Sequence, residues 1–270
     1  MLKAISFFLL SSCHILWAQD ITGVVKDANG LKPIPFVNIG IVGKNLGTVS
    51  DHSGRFRLSA GASFDRDSLL FSMIGYETQA HEIGSLRKSE NVVIVMHERD
   101  YKLDEVTIKP ARFKERILGV NTRSSMIEAG FRDNKLGYEC GLLMKVKKTA
   151  YLKQLQINIA TCTYDTIFFR LNVYEVRGNK EFVNILKEPI YINLLKEDLE
   201  DEIHIDLRSD NIVVEGEFLV TLEHVKDLGY GHLYFNTGLS GRTYYRMTSQ
   251  GEWASLRLGI GISVLADVEK

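Results

Sequence analysis

Apolar and polar residues alternate along most of this chain with the two-residue period of half-buried strands, and turn residues break the alternation at short intervals. Residues 21–26 read as a first strand, closed by Asp27-Ala28-Asn29-Gly30, whose Asn-Gly supplies the positive φ of a tight reversal. Pro33 and Pro35 stand at the start of a second strand, residues 36–42, where a missing N–H is tolerated. Residues 47–50 follow, then Asp51 and Gly54 at the first and last places of a type I turn. In residues 55–58, Phe56 and Leu58 point inward and Arg55 and Arg57 outward. Strands at 68–73, 76–82 and 92–96 complete seven, which predicts an all-β two-sheet sandwich over residues 20–108.

Residues 109–134 break the pattern. Lys109, Arg112, Lys114 and Arg116 outweigh Glu115, and Pro110 interrupts them, so the stretch reads as a solvated linker with one helical turn. Alternation resumes in residues 135–270. Ile167, Phe169, Leu171 and Val173 share one face against Arg170 and Asn172. Ile212, Val214, Phe218, Val220 and Leu222 share another against Glu215, Glu217, Thr221 and Glu223. Further strands are expected at 151–159, 202–207, 232–235, 243–247 and 256–264, with one helix at 194–199. A second, jelly-roll-like β-sandwich is the expectation here.

The N-terminus has a different character. Lys3, an apolar run over residues 4–17 and the small residue Ala18 have the order of a secretory signal peptide, residues 1–19, cleaved near Ala18 or Gln19. An alternative uses Leu10-Ser11-Ser12-Cys13 as a lipoprotein box with Cys13 lipidated. No later stretch approaches the roughly 20 apolar residues of a membrane span. Lys and Arg total 33 against 34 Asp and Glu, so charge implies no nucleic-acid partner. Export would permit a bond between Cys140 and Cys162. A hairpin turn at residues 147–150, however, would set Cys140 opposite Ile157 and leave Cys162 out of register.

Several pieces of the first sandwich together resemble the carboxypeptidase-regulatory-like domain. They are Gly23-Val24-Val25 with Asp27 and Gly30, then Ile34-Pro35-Phe36-Val37-Asn38-Ile39, then Gly47-Thr48 with Asp51, Gly54 and Phe56. Ile74-Gly75-Tyr76 and Leu103-Asp104-Glu105-Val106 complete the set. The resemblance implies a transthyretin-type, immunoglobulin-like sandwich that is also fused ahead of TonB-dependent outer-membrane transporters. It further implies an envelope location, periplasmic or peripheral to the outer membrane. Only residues 109–270 follow it, too few for a plug and a large barrel.

Catalytic signatures are sparse. There is no HExxH and no G-x-S-x-G, and the pairs His81-Glu82 and His97-Glu98 put consecutive side chains on opposite strand faces. His204 and Asp206 share a face without a third ligand. No metal or cofactor is implied. Rings concentrate at Tyr230, His232, Tyr234, Tyr244, Tyr245 and Trp253, and Tyr230, Tyr245 and Trp253 are the candidates for stacking on a sugar. The expectation is a non-catalytic exported protein that binds or scaffolds an envelope protein or a glycan. A glycan-binding accessory module and a hydrolase with an unrecognised site stay open beside it.

Overall fold

A computed structural model describes residues 19–100, 112–178 and 180–270. The expected leader, with Cys13, and the segment Leu103–Val106 lie outside the described residues. The protein is all-β. Its N-terminal unit holds β1 (Gln19–Asp27), β2 (Asn38–Gly40), β3 (Gly47–Val49), β4 (Arg55–Ala60), β5 (Ser68–Ser72), β6 (Gln79–Glu82) and β7 (Val92–Met96). One sheet has the order β4-β1-β7 and the other β3-β2-β5-β6. Between them pack Ile21, Val25, Ile39, Phe56, Leu58, Phe71, Ile94 and Met96, the inward members of each alternating strand.

The remaining strands are β8 (Phe113–Gly119), β9 (Glu128–Phe131), β10 (Glu139–Cys162), β11 (Thr166–Arg177), β12 (Glu181–Asn184), β13 (Ile190–Leu195), β14 (Glu202–Asp206) and β15 (Val213–His224). They continue as β16 (Leu233–Gly238), β17 (Thr243–Arg246), β18 (Ala254–Leu256), β19 (Gly259–Ile260) and β20 (Ile262–Glu269). All belong to one 13-stranded sheet with the path β12-β11-β15-β10-β16-β19. Strand β10 is its spine, pairing with β15 and β17 along its first part and with β14, β20 and β16 further on.

Three sequence expectations give way here. No hairpin forms at residues 147–150; β10 runs straight through, with only a register irregularity between Val146 and Ala150. Cys140 and Cys162 therefore stand near opposite ends of one strand, and both are free. Where a linker with a helical turn is expected, Phe113–Gly119 pairs antiparallel with β20. At 194–199, β13 ends and only the short 3-10 turn Lys196–Asp198 follows.

The two units touch over a polar surface with one aromatic anchor. Phe36 lies against Phe168 and Tyr191, at centroid distances of 5.1 and 5.5 Å. Its φ of 57° is left-handed, a conformation that disfavours a bulky residue and marks local strain. From the second unit, the segment after β17 lies on β2 and β3. Gln250 donates to Ser72 Oγ at 2.7 Å and accepts from the Gly43 backbone N–H at 3.0 Å. A Cβ at Gly40 or Gly47 would stand only 2.2 or 2.4 Å from the Ser249 carbonyl oxygen, so glycine there permits the close approach.

Candidate functional site

Strands β11, β15, β10 and β17 lie side by side, and their register sets four charged residues in one row across the sheet. Arg170 pairs with Glu223, Glu223 with Glu139, and Glu139 with Arg246. The order is cation, anion, anion, cation. Alternation explains the placement: Ile167, Phe169 and Leu171 fill the core of the second unit, which turns Arg170, Asn172 and Tyr174 to the other face. That face is not solvated, because the N-terminal unit covers it at Arg170, and Phe182 and Trp253 of the second unit cover it at Tyr174 and Arg246. Glu139 and Glu223 are wholly buried, and Arg170 and Arg246 nearly so.

Hydrogen bonds tie the row together. Arg170 donates to Glu223 Oε2 at 2.7 Å, to the Phe36 carbonyl at 2.8 Å and to Asn38 Oδ1 at 2.7 Å, joining the two units through one guanidinium. Arg246 Nε donates to Glu139 Oε2 at 2.7 Å, and its guanidinium stacks on Trp253 at 4.8 Å. Asn172 bridges the acids, donating to Glu139 Oε1 at 2.9 Å and to Glu223 Oε2 at 3.0 Å. Tyr174 and Thr221 also donate to Glu139 Oε1.

The two carboxyls differ in character. Burial first, and the neighbouring Glu223 charge next, push Glu139 above the ordinary carboxylate range, with Arg246 opposing. Burial would raise Glu223 too, but Arg170 and Arg246 outweigh it and hold that group below its ordinary value. Two acids side by side between two cations thus favour Glu223 as the fixed anion and Glu139 as the more readily protonated partner.

Above the row, between the units, opens a cleft of about 340 Å³. Amides of Asn38, Asn172, Asn184 and Gln250 line it with Phe182, Met73 and Arg246. Neither Glu139 nor Glu223 is among its lining residues, so the acids support the wall without forming it. Arg246, bonded to Glu139, and Asn38, which accepts from Arg170, share the wall with the guanidinium of Arg99 and the hydroxyl of Thr78. The arrangement can recognise a polar ligand rich in hydrogen-bond acceptors.

The three aromatic candidates do not converge. Tyr230 is fully exposed, beside His232 in a shallow depression near Asp227. Tyr245 faces the core side of β17 and lines a separate, more apolar cavity of about 360 Å³ with Tyr234 and Tyr138. Trp253 packs on the opposite side against Tyr174 and Phe182, backing Arg246. The residues missed by sequence reasoning are Glu139, Arg170, Glu223 and Arg246. Their one signal was ionic side chains set next to apolar residues within or at the ends of strands. His204 and Glu202 approach to 3.5 Å, and among the described residues no group of three or more His, Cys, Asp or Glu is placed to hold a metal.

Comparisons with known proteins bear on the N-terminal unit. Residues 21–108 match the family model of the CarboxypepD_reg-like domain. A segment of 94 residues is 33% identical to the TonB-dependent receptor SusC of Bacteroides thetaiotaomicron, covering 34% of this chain and 8% of the receptor. The chain thus spans a small fraction of that relative's length. Among solved structures, the VP2 subviral particle of infectious bursal disease virus aligns over 87% of this chain and 61% of its own, at 7% identity and a TM-score of 0.18. That likeness carries no argument. Among the described residues no helix is long and apolar enough to cross a membrane, which says nothing of strands.

Proposed function

We propose that this chain is a non-catalytic binding or scaffold protein of the bacterial cell envelope, exported by its leader and held in the periplasm or at the outer membrane. Its N-terminal CarboxypepD_reg-like unit packs on the second β unit, and the cleft between them receives the ligand. The observation that carries this reading is the lining of that cleft, where Arg246 and the side-chain amides of Asn38, Asn172, Asn184 and Gln250 stand together beside Phe182. The match of residues 21–108 to the CarboxypepD_reg-like family model and the similarity of 94 residues to a TonB-dependent receptor support the envelope setting. Against a hydrolase stands the position of the two acids. Both are sealed beneath the wall, and neither can reach a substrate without unlocking the units.

A glycan is the favoured ligand class, because neutral sugars present many acceptors and the wall supplies amides beside an aromatic ring, Phe182. This moves the glycan reading from Tyr230, Tyr245 and Trp253 to the cleft. The test is calorimetric titration of the full chain with a panel of neutral and acidic oligosaccharides. Thr78→Trp serves as the blocking variant, since Thr78 lines the cleft but is exposed and outside the charged row. Binding lost in Thr78→Trp, with Trp253→Ala and Tyr245→Ala tested alongside, supports the cleft. Binding that survives Thr78→Trp and disappears with Tyr245→Ala would return the site to the aromatic cavity. Silence with every saccharide, together with stoichiometric bound metal and turnover in a hydrolase panel, would overturn the reading.

A further inference from the structure

Strand β8 lies at a sheet edge far in character from the cleft. It pairs with β20 and, among the described residues, with no other strand. Every residue from Phe113 to Ile117 is exposed, on both faces of the strand. Two bonds bracketing it fix which backbone groups face outward: Val120 N–H donates to Ile262 at 2.9 Å, and Lys270 N–H donates to Arg112 at 2.8 Å. In an antiparallel ladder, hydrogen-bonded and non-bonded pairs alternate. Even-numbered residues of β8 therefore bond to β20, and the N–H and C=O groups of Phe113, Glu115 and Ile117 point to the open edge.

The side chains of this edge are sorted by chemistry. On one face Phe113 (41% exposed) and Ile117 (60% exposed) flank Glu115, and Tyr151 (39% exposed) adds its ring to Phe113 at 5.4 Å. Glu115 is neutralised there by Lys153 at 2.8 Å. The other face presents Lys114 and Arg116, for which no acidic partner stands within reach among the described residues. A second copy of this chain is a poor occupant. Antiparallel self-pairing centred on Glu115 sets Lys114 against Arg116, and centring on Arg116 sets that residue against itself.

We propose that the open edge of β8 is a docking site for one extended segment of a partner protein, in which acidic and apolar residues alternate. The segment adds a strand by backbone pairing with Phe113, Glu115 and Ile117. Its acids face Lys114 and Arg116, and its apolar side chains cover Phe113, Ile117 and Tyr151. The same lysine and arginine that admit this segment disfavour edge-to-edge pairing of copies in the registers centred on Glu115 and Arg116. The inference is independent of the cleft.

The test uses the full chain and a capped seven-residue peptide alternating valine and glutamate, with its glutamine and lysine counterparts as controls. The expected result is saturable binding of the glutamate peptide, at least tenfold tighter than either control. Residue-resolved hydrogen exchange should slow at Phe113, Glu115 and Ile117 and stay unchanged at Lys114 and Arg116. Ile117→Pro deletes one outward N–H and leaves the β20 ladder intact, so it is expected to weaken binding at least tenfold without lowering the melting temperature appreciably. Should that variant fold poorly, Lys114→Glu with Arg116→Glu is the second arm, expected to reverse the preference toward the lysine peptide. Absence of glutamate-peptide binding with the edge amides unprotected overturns the proposal. So does equal binding by all three peptides, or edge protection that arises from dimerisation of the chain alone.

Discussion

Replacing His224 by phenylalanine probes how the second unit's core responds to acid. The imidazole is fully buried at the end of β15, with Phe131, Tyr164 and Phe169 around it. Neither ring nitrogen has a hydrogen-bond partner of good geometry. Burial pushes its pKa down to about 4 from an ordinary 6.5, although the Lys226 backbone and the charges of Asp227 and Asp133 oppose the shift. The folded state thus holds the neutral ring, and the unfolded chain takes a proton first as pH falls. Stability from this group is complete above about pH 6.5 and is lost as pH drops toward 4. The loss amounts to about 2 kcal/mol by pH 5 and about 3 kcal/mol by pH 4. The Glu139 carboxyl, raised by burial, works in the opposite direction and is common to both proteins. Urea unfolding of the natural chain and His224→Phe at pH 7, 6, 5 and 4 isolates the histidine. At pH 7 the variant is expected to be no less stable, since two unbonded nitrogens leave the core. Its acid-side loss is expected to be smaller by the amounts above. Parallel stability-versus-pH curves for the two proteins would refute the argument.

Three further outcomes follow from the charged row and the contact between units. Glu223→Gln leaves Arg170 buried without its anion and is expected to cost about 3–5 kcal/mol, whereas Glu139→Gln, at the more readily protonated acid, costs clearly less; thermal unfolding of both at pH 7 gives the order. Arg170→Met removes the donor to Phe36 and Asn38, and hydrogen exchange in residues 36–40 is expected to accelerate at least tenfold while the β1–β4 ladder stays protected. Gly47→Ala brings a methyl against the Ser249 carbonyl, so limited proteolysis after β17 is expected to quicken, with Gly61→Ala, at negative φ and with only an ordinary contact, as the control.

The N-terminal unit was largely legible because strands such as β4, β5 and β7 bury alternate apolar residues and turn residues separate several of its strands. Asp51 and Gly54, for instance, close their turn through the Gly54 N–H bond to the Asp51 carbonyl, as their spacing predicts. The second unit was legible as β but not in its connections. Strand β10 reads as two strands because Lys147, Lys148 and Thr149 interrupt its apolar alternation, as a hairpin turn would. In the fold these residues pass the register irregularity at the rim and the strand continues. The charged row escaped for a different reason. Arg170, Asn172 and Glu223 alternate with core residues as solvated side chains do, and periodicity records which face a residue takes, not what covers that face. The docking of Phe36 and Asn38 at one end, and the packing of Trp253 and Phe182 at the other, turn an outer surface into an interior. Likewise β8 reads as a linker, since its basic residues dominate the stretch and Phe113 and Ile117 are separated by Glu115 on a strand exposed on both faces.

The length of β10 has a mechanical consequence. One continuous segment, Glu139–Cys162, takes part in the ladders of β15, β17, β14, β20 and β16. Tension applied along it loads many backbone bonds in shear at once, whereas a pull on β8 peels a single ladder from its end. Force entering the second unit through residue 113 would therefore strip the margin first and leave the spine holding the rest together.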